Sequence, residues 1–497
     1  MKYFISILFF VSITTFSIAQ KEVFKIKNTN FSPSFKNKDS YSFSNHKTGE
    51  LSILIGEHKI LYTYLLDSDF NKKEELRVES LKKSFNNFIG YTVNDKNYRL
   101  VFTNKSNKKF AVINYDFNTQ NSNTFEIDLI LKKEEYIEAI SLNNRFFLLT
   151  ILKNSNDLII RELTNNAFVK TIIPFKNNIS LYNLLLQKND PDDDQKLKSS
   201  ILQGKLIQLA KIDNKNPNSI ETTSELNKLY ADNNSLIFTF DNFNNYTLIF
   251  TLDLDSFELS KRKINKDKDP ILLFKKSNSY IFNDLFFQIQ SSKDKMVFSV
   301  KNFVTEDLIK KHEINIDAPI TIKNTPIIQE GGTFMSSNGK RELEEVTAKY
   351  LRKITAGDLG IAAYKIGANY QITLGGTKEI SSGGGGGGMM MTGGGAMTMA
   401  SSGAVSVSAP NMTYVSYGNY SSTKSTYIKS IFDENFEHQK GEIKENVFDK
   451  VEEFEDDLKH EDAINIFLHN NTLYFGYFDL ENQEYKIFNF TDNNKFY

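Results

Sequence analysis

The sequence predicts an all-β fold built from repeated units, and three observations lead to this prediction. Short runs rich in Phe, Ile, Tyr and Val recur, as in FIGYTV, YRLVFT, KFAVINY and TFEIDL between Phe88 and Leu129. Turn-forming stretches such as NDKN and NKSNK separate them, a pattern typical of β-strands. A second set of four runs follows from Tyr136. The spacing of about 45 residues matches the size of one propeller blade.

We therefore predict a β-propeller with seven four-stranded blades, and six or eight blades as alternatives. Two unrelated β-sandwiches are the alternative architecture. Hydrophobic residues make up 40% of the 497 residues and charged residues 24%, which suits a folded globular chain. The repeat predicts a single domain over residues 20–497.

The first residues are typical of an export signal. Lys2 precedes an apolar run from Tyr3 to Val11, and Ser17 and Ala19 provide the small residues of a cleavage site. The run is shorter than the roughly 20 residues of a membrane-spanning helix. We predict a signal peptide over residues 1–19, no transmembrane span after its removal, and a periplasmic, cell-surface or secreted location.

The strand runs can be followed along the mature chain. A lone strand, EVFKIK, precedes six predicted blades and a last unit of only three strands. We expect EVFKIK or the strand at Tyr41 to complete that unit and close the ring. The six blades cover residues 41–79, 88–129, 136–174, 228–263, 279–316 and 359–432. In the sixth, LGIAAYK, NYQITLG, MTYVSYG and STYIKSIF are the predicted strands.

Four long insertions interrupt this period, at residues 177–227, 317–357, 381–412 and 441–461. Helices are predicted near 197–209, near 343–354 with a stop at Gly357, and near 447–458. Because strand direction alternates in a blade, all four insertions are predicted to emerge on one face. Long connections on a rigid scaffold commonly carry binding sites. Binding-face candidates on these insertions are Asp192, Asp193, Tyr350, Met390 and Tyr414.

Composition excludes several classes of function. The chain has no Cys, which rules out disulfides, thiol catalysis and Cys-ligated metals. The absence of Trp removes the signature dipeptide of WD40 blades. A net charge of −1, with basic residues that are almost all Lys, argues against a nucleic-acid partner.

Catalytic motifs are also missing from the sequence. Its six His residues form no HxxxH or HExxH pair, and no GxSxG, Walker or Rossmann pattern occurs. A non-enzymatic protein is therefore favoured. A hydrolase or lyase acting on an extracellular glycan or peptide is the alternative, because a propeller can gather carboxylates from different blades without any linear motif.

We expect no cofactor, but two stretches contain residue types that can bind a metal ion. Asp190, Asp192 and Asp194 alternate like the start of a calcium loop, but Gln195 and Ile201 stand where an EF-hand needs Gly and Glu. A solvated acidic loop is the other interpretation.

The second stretch, from Glu379 to Lys424, has no charged residue between its ends and is rich in Gly and Met. It could be a flexible loop, an adaptable contact surface, or a Cu(I) site. The copper candidates are Met389, Met391, Met397 and Met399.

These observations together predict an exported propeller scaffold that binds a protein or glycan partner at the cell envelope through the face with the insertions. The hydrolase or lyase is one alternative. A periplasmic Cu(I)-handling protein is a second.

Overall fold

The computed structural model describes residues 21–27, 39–57, 60–153, 155–175, 181–186, 209–267, 274–331, 339–379, 417 and 423–491. Within these ranges β-strands predominate, and they form seven separate sheets. We number the sheets in chain order. The predicted all-β class is confirmed.

The first three sheets each contain four consecutive antiparallel strands. Sheet 1 has β2 (Asp39–Ser44), β3 (Leu51–Glu57), β4 (Ile60–Leu66) and β5 (Lys72–Glu79). Sheet 2 has β6 (Asn87–Asn94), β7 (Asn97–Thr103), β8 (Phe110–Asp116) and β9 (Asn121–Ile127). Sheet 3 has β10 (Glu134–Leu142), β11 (Arg145–Leu152), β12 (Asp157–Thr164) and β13 (Ala167–Pro174).

Sheets 4 and 5 follow the same plan, with one added strand in sheet 4. Sheet 4 has β14 (Ala210–Ile212), β15 (Asn227–Asp232), β16 (Ser235–Phe240), β17 (Tyr246–Asp253) and β18 (Leu259–Asn265). Sheet 5 has β19 (Lys276–Phe282), β20 (Leu285–Ser291), β21 (Lys295–Asn302) and β22 (Leu308–Asn315).

Sheet 6 departs from the plan. Its strands lie in the order β24 (Lys340–Glu342), β23 (Ile328–Glu330), β27 (Thr423–Phe432), β26 (Asn369–Glu379) and β25 (Asp358–Ile366). STYIKSIF is therefore the third strand, and its prediction as the fourth is wrong. The outer edge of β27 is covered by β23, by Asn324 and by a short bridge from His438 to Phe432.

Sheet 7 joins the two ends of the chain. It contains β28 (Glu461–His469), β29 (Thr472–Asp479) and β30 (Glu484–Phe490), and its outermost strand is β1 (Lys21–Lys27). β1 pairs antiparallel with β30, with Lys27 opposite Glu484 and Lys25 opposite Lys486. The expectation that EVFKIK completes the last unit is confirmed.

The first strands of the sheets are β2, β6, β10, β15, β19, β25 and β28. β2 lies beside β28, β6 beside β10 and β19 beside β25. Corresponding positions of these pairs meet, as at Ser40 and Ala463 or Lys276 and Asp358, so the paired first strands run in the same direction. Polar contacts join neighbours, such as Ser44 Oγ to His469 Nδ1 at 2.8 Å and Thr92 Oγ1 to the Asn144 carbonyl at 2.7 Å. The molecule therefore has a connection end, where first strands begin, and a hairpin end, where they turn into second strands.

Asn-rich turns form much of the hairpin end. Both central residues have positive φ at Asn143–Asn144, Asn233–Asn234 and Asn470–Asn471. Two-residue turns of this kind match the twist of antiparallel strands, and Asn tolerates the left-handed conformation better than most residues. The repeated Asn-Asn dipeptides thus fix the register of sheets 3, 4 and 7.

Six clusters of buried apolar side chains fill the spaces between sheets. One joins sheets 2 and 3, for instance through Val101 and Leu148, and the largest spans sheets 4, 5 and 6. The cluster with Ile53 and Ile487 joins sheet 1 to sheet 7. Every consecutive pair shares a cluster, and so do the last and the first, so the contacts between sheets form a closed cycle.

Four short helices lie in the described connections: α1 (Leu181–Leu186), α2 (Ile220–Thr223), α3 (Thr347–Thr355) and α4 (Val447–Asp456). The helices predicted near 343–354 and 447–458 are confirmed as α3 and α4. The stop at Gly357 is also confirmed, since α3 ends at Thr355 and Ala356 is its C-cap. A Cβ at Gly357 would lie 2.3 Å from the Thr377 carbonyl oxygen, so this position needs glycine. The helix predicted near 197–209 falls almost wholly outside the described residues.

The long connections are not all at one end. Those between β13 and β15 and between β22 and β25 start and finish at the connection end, and β26 and β27 are joined there too. The stretch from β27 to β28 instead starts at the hairpin end, since β27 is a third strand. It carries α4 past sheets 6 and 7, where Val447 and Phe448 pack near Tyr364 and Leu473. The predicted placement of 441–461 with the other three is therefore wrong.

Among the described helices, none is both long and apolar enough to span a bilayer. The predicted signal peptide, residues 1–19, and Gln20 lie outside the described residues.

The pairing of β1 with β30 predicts that a core residue on β1 affects the stability of the whole chain. Phe24 is buried in the cluster between sheets 7 and 1. We expect Phe24→Ala to lower the free energy of unfolding by about 3 kcal/mol, from lost burial and a cavity. Chemical denaturation measures this. The exposed neighbour Lys25→Ala is the control, with an expected change within about 0.5 kcal/mol. Equal, small effects of both changes would contradict closure through β1.

Candidate functional site in the middle of the molecule

A segment of the chain fills part of the space in front of the first strands. This central segment, residues 209–226, begins with β14, which pairs in parallel with β15. β15 uses its other edge for β16. β14 therefore lies on the side of β15 that faces the middle of the molecule.

The central segment turns back at residues 213–218. Asp213 holds this turn, because its Oδ1 accepts from the Lys215 N–H at 3.0 Å and its Oδ2 accepts from Asn216 Nδ2 at 2.6 Å. Asn218 Nδ2 donates to Tyr280 Oη on β19 at 3.1 Å. Burial, and then the charge of Lys215, lower the pKa of His46, so Lys215 lies within electrostatic range of sheet 1.

The second half of the central segment contains α2. Ser219 caps the N-terminus of this helix, because its hydroxyl accepts a hydrogen bond from the Thr222 N–H at 3.1 Å. Ile220 is buried against Gly360 of β25, where a Cβ would meet the Ile220 carbonyl oxygen at 2.8 Å. Glycine at this position lets the backbone of the segment approach sheet 6 closely.

Asn278 clamps the end of α2 between sheets 5 and 6. Its Nδ2 donates to the carbonyls of Thr223 at 3.2 Å and Ser224 at 2.9 Å, and also to the Leu359 carbonyl. Its Oδ1 accepts from the Lys228 ammonium. A fully buried side chain with this many partners fixes the segment in one position.

A buried ion pair supports the clamp. Lys228 Nζ lies 3.4 Å from Asp241 Oδ2, and neither side chain is exposed. Asp241 also accepts from Ser279 Oγ at 2.7 Å and from Thr247 Oγ1 at 2.6 Å. Burial lowers the pKa of Lys228, and the charge of Asp241 opposes this shift. Since these groups satisfy one another away from solvent, the pair has a structural role.

Two further titratable groups, Glu138 and Tyr136 of β10, belong to sheet 3. Glu138 of β10 lies within electrostatic range of Lys211 on β14. Burial raises the pKa of Glu138 and of its neighbour Tyr136, and Lys211 partly offsets the shift of Glu138. A bulge between Tyr136 and Glu138 redirects their side chains, and β6 and β28 carry similar bulges.

Glu221 of α2 is the most perturbed carboxyl group of the segment. Burial, followed by the charges of Glu225 and Glu330, raises its pKa to about 7, although the hydroxyl of Thr423 acts in the other direction. Glu330 itself accepts from Tyr427 Oη at 2.7 Å and lies 3.3 Å from Lys340 Nζ. Thr423 is the first residue of β27, so Glu221 lies where the Gly- and Met-rich stretch rejoins the sheet.

No group of three or more His, Asp or Glu side chains suited to a metal ion occurs in the ranges that the structure describes. The weak calcium candidates Asp190, Asp192 and Asp194 lie outside those ranges. So do the copper candidates Met389, Met391, Met397 and Met399. Both metal hypotheses stay predictions.

Of the predicted binding-face residues, Tyr350 alone lies within the described chain. Tyr350 is completely buried in α3, and its hydroxyl donates to the Leu374 carbonyl at 2.9 Å. A substitution at Tyr350 would therefore change the stability of the fold, and its effect on binding could not be separated from that change. Asp192, Asp193, Met390 and Tyr414 fall outside the described residues.

The sequence does not predict the position of the central segment. It lies within the predicted insertion 177–227. Its only local signal is the turn-forming run from Asp213 to Ser219, followed by α2. Nothing in that run indicates that it packs against three different sheets.

Comparisons with known proteins give no family. No protein-family model matches the sequence, and no curated protein matches it. Among solved structures, a prolyl endopeptidase is similar over 68% of this chain and 41% of its own, with 8% identity and a TM-score of 0.30. Apocarotenoid oxygenase from Synechocystis is similar over 56% of this chain and 61% of its own, with 7% identity and a TM-score of 0.27.

Prolyl oligopeptidase B from Galerina marginata is similar over 68% of this chain and 38% of its own, with 9% identity and a TM-score of 0.27. The match thus spans less than two thirds of each of these proteins. Similarity at this level carries no information on what this chain binds or catalyses.

The clamp predicts a stability effect for Asn278→Ala. The change removes one hydrogen bond from the Lys228 ammonium, which keeps Asp241, and one from each of three carbonyls. We expect a loss of about 2–4 kcal/mol in the free energy of unfolding. Hydrogen exchange should become faster in residues 209–226. Asn123→Ala, on exposed β9, is the control with little expected effect. Unchanged exchange in the central segment would contradict the clamp.

Glu221 predicts a pH-dependent stability. Its folded pKa of about 7 lies above its ordinary value of 4.5. Its favourable contribution is therefore complete below pH 4.5 and is lost as pH rises through 7. Glu221→Gln should resemble the unchanged protein at pH 5 and melt at a higher temperature at pH 8. The exposed Glu452→Gln of α4 is the control. An equal increase in melting temperature at pH 5 and at pH 8 would contradict a raised pKa of Glu221.

Proposed function

We propose that the protein is a seven-bladed β-propeller that acts as a binding scaffold for a protein or glycan partner at the cell envelope. Seven sheets, with first strands in contact between several neighbouring sheets, support the blade count. The closed cycle of apolar contacts and the completion of sheet 7 by β1 support the ring. Export rests on the signal pattern at Ser17 and Ala19.

The central segment is the observation that carries the binding role. In a propeller the first strands surround the middle of the ring, where side chains from several blades can meet. Here residues 209–226 occupy that space in front of sheets 4, 5 and 6, held by Asn278 and the buried pair of Lys228 and Asp241. A segment in this position reduces the room for a central pocket, which favours recognition at the surface.

The connection end is the surface that we propose for the partner. Three of the four long connections emerge there, including the ends of the Gly- and Met-rich stretch at Glu379 and Thr423. Long connections on a rigid set of sheets can vary and adapt without disturbing the core. Several blades can thus contribute to one contact area.

A hydrolase or lyase is the second candidate function, and one observation favours it. Glu138 and Tyr136 are neighbours on sheet 3, and Lys211 of the central segment lies within electrostatic range of Glu138. A carboxyl group with a raised pKa is a general-acid candidate. If this site is catalytic, Glu138→Gln should abolish turnover on a glycan or peptide panel without changing the melting temperature.

The binding proposal predicts where a partner is captured. A photo-crosslinking amino acid at Ile130 or Arg352 reports on the connection end, and one at Asn143 or Asn233 reports on the hairpin end. All four positions are exposed, with Ile130 at 68%. In cells, adducts of one defined mass should form from the first pair only. Adducts from the hairpin positions alone, or none from any position, would contradict the proposed surface.

A further inference from the structure

Positive charges gather on one side of α3, at the connection end of sheet 6. Lys349, Arg352 and Lys353 are three and four residues apart, a spacing that places them on one side of the helix. The other side of the helix is buried through residues such as Tyr350 and Ile354. The three basic side chains of α3 therefore point away from the core.

The strands of sheet 6 add three more basic residues. Lys378 of β26 lies directly opposite Lys424 of β27, although like charges in this position destabilise a strand pair. Arg341 of β24 donates through Nε to Gln329 Oε1 at 3.1 Å. Gln329 Nε2 in turn donates to Thr426 Oγ1 at 3.1 Å. The side chains of Arg341, Gln329 and Thr426 therefore share one face of the sheet.

This face is the one that α3 covers. Gly376 of β26 faces the helix, since a Cβ there would lie 2.6 Å from the Ile354 carbonyl oxygen. Thr426 is the residue opposite Gly376 in the strand pair. Side chains alternate along a strand, so Lys378 lies on the same face as Gly376, and Lys424 on the same face as Thr426. The charges of the helix and of the strands thus belong to one surface.

The basic residues of the helix and of the strands also act on one another. Burial, followed by the charges of Lys424, Arg341, Arg352 and Lys349, lowers the pKa of Lys353. Lys349 has its own partner, because it forms an ion pair with Glu344.

The other five residues are the basic patch, and within the described chain none of them forms an ion pair with a carboxylate. They are Arg341, Arg352, Lys353, Lys378 and Lys424.

Acidic residues of sheet 6 lie on its other face. Glu330 follows Gln329 in β23, so its side chain belongs to the opposite face, where it accepts from Tyr427 Oη at 2.7 Å. By the same alternation Glu342 and Glu379 lie on that other face. The sheet thus separates its charges, and its own acids do not neutralise the basic patch.

The end of a helix explains only part of this arrangement. Cations in the last turn interact favourably with the helix dipole, which accounts for Arg352 and Lys353. Arg341, Lys378 and Lys424 belong to strands and gain nothing from that dipole. An anionic ligand relieves the repulsion among these charges.

The extent of the basic patch favours a ligand that carries several anions along a chain. Two strands separate β24 from β26, so Arg341 and Lys378 are about 14 Å apart across the sheet. A single small anion cannot contact charges over this distance. A polymer with a charge on each unit can contact all of them.

The residues around the basic patch favour a glycan over other polymers. Protein interfaces depend on buried aromatic and apolar anchors, whereas Val346, at 39%, is the one exposed large apolar residue described beside α3. Single-stranded nucleic acids stack on aromatic rings, and the basic patch contains none. Charge with little apolar area suits a chain of acidic sugars.

From these observations we infer that the basic patch binds a linear acidic polysaccharide, whose carboxylate or sulfate groups contact its two arginines and three lysines. The inference rests on the proposed function, because it names the class of partner for the connection end. The guanidinium groups of Arg341 and Arg352 can each hold an acidic group through two parallel hydrogen bonds. The lysines supply charges on flexible side chains that adapt to the polymer.

The test uses the full mature chain and a fluorescently labelled oligogalacturonate. We expect saturable binding in fluorescence anisotropy that weakens as salt is added, because salt screens exposed charges. Lys378→Gln with Lys424→Gln should weaken binding at least about tenfold. The melting temperature should stay unchanged or rise, since a repulsive pair is removed. Lys378→Arg with Lys424→Arg keeps both charges and should retain binding.

The matched control is Lys105→Gln with Lys108→Gln, two exposed lysines between β7 and β8 at the same end of the molecule. It changes the net charge equally and should leave binding unchanged. Equal loss in both double variants, or no binding below about 1 mM, overturns the inference. Tighter binding of an oligoglutamate of equal charge, a single-stranded oligonucleotide or phosphatidylglycerol vesicles also overturns it, because the partner would then belong to another class.

Crosslinking from Ile130 separates this inference from the proposed function, since Ile130 lies at the connection end but outside the basic patch. Adducts from Ile130 in cells, without any binding of oligogalacturonate, would overturn the inference and leave the proposed surface in place. Binding of oligogalacturonate that depends on Lys378 and Lys424, without adducts from any position, would support the inference and contradict the proposed capture in cells.

Discussion

The pairing of β1 with β30 is the constraint on which the rest of the structure depends. Each sheet has two apolar faces, so it needs a neighbour on both sides. For six of the seven junctions the neighbour is the next sheet in sequence, but sheet 7 can only meet sheet 1. Adding β1 to sheet 7 ties that junction to the chain itself, because β1 precedes β2 of sheet 1 by a short stretch. Without it, β30 would present an open edge beside an incompletely covered apolar face.

The contacts that hold the central segment differ in kind from the contacts between sheets. Between sheets the contacts are apolar, whereas the central segment is held mainly by amides, carbonyls and the pair of Lys228 and Asp241. Directional bonds of this kind select one position, while apolar packing alone tolerates several. The segment needs such selection, since β14 has only three residues and α2 four, too few to be stable alone.

The sequence predicts this fold well where local and repeated signals agree. Alternating apolar residues and Asn-rich turns locate the strands of sheets 1 to 5, and the three-strand remainder predicts closure by the N-terminal strand. The signals fail where a strand joins the sheet from a distant part of the chain. β23 is three residues long and pairs with a strand almost 100 residues later, so no local pattern marks it. The clamp at Asn278 and the packing of the central segment are likewise long-range, and single polar residues carry no period.

The departures from the repeat are not spread evenly around the molecule. β14, β23, β24 and three of the four described helices belong to sheets 4 to 6 or to the connections that enter them. Sheets 1 and 2 keep short connections and charged or polar outer strands. Since each departure costs backbone pairing or exposes apolar area, a chain that needed only stability would repeat sheets 1 and 2 throughout. The concentration of irregular elements around sheets 4 to 6 is therefore not explained by stability alone.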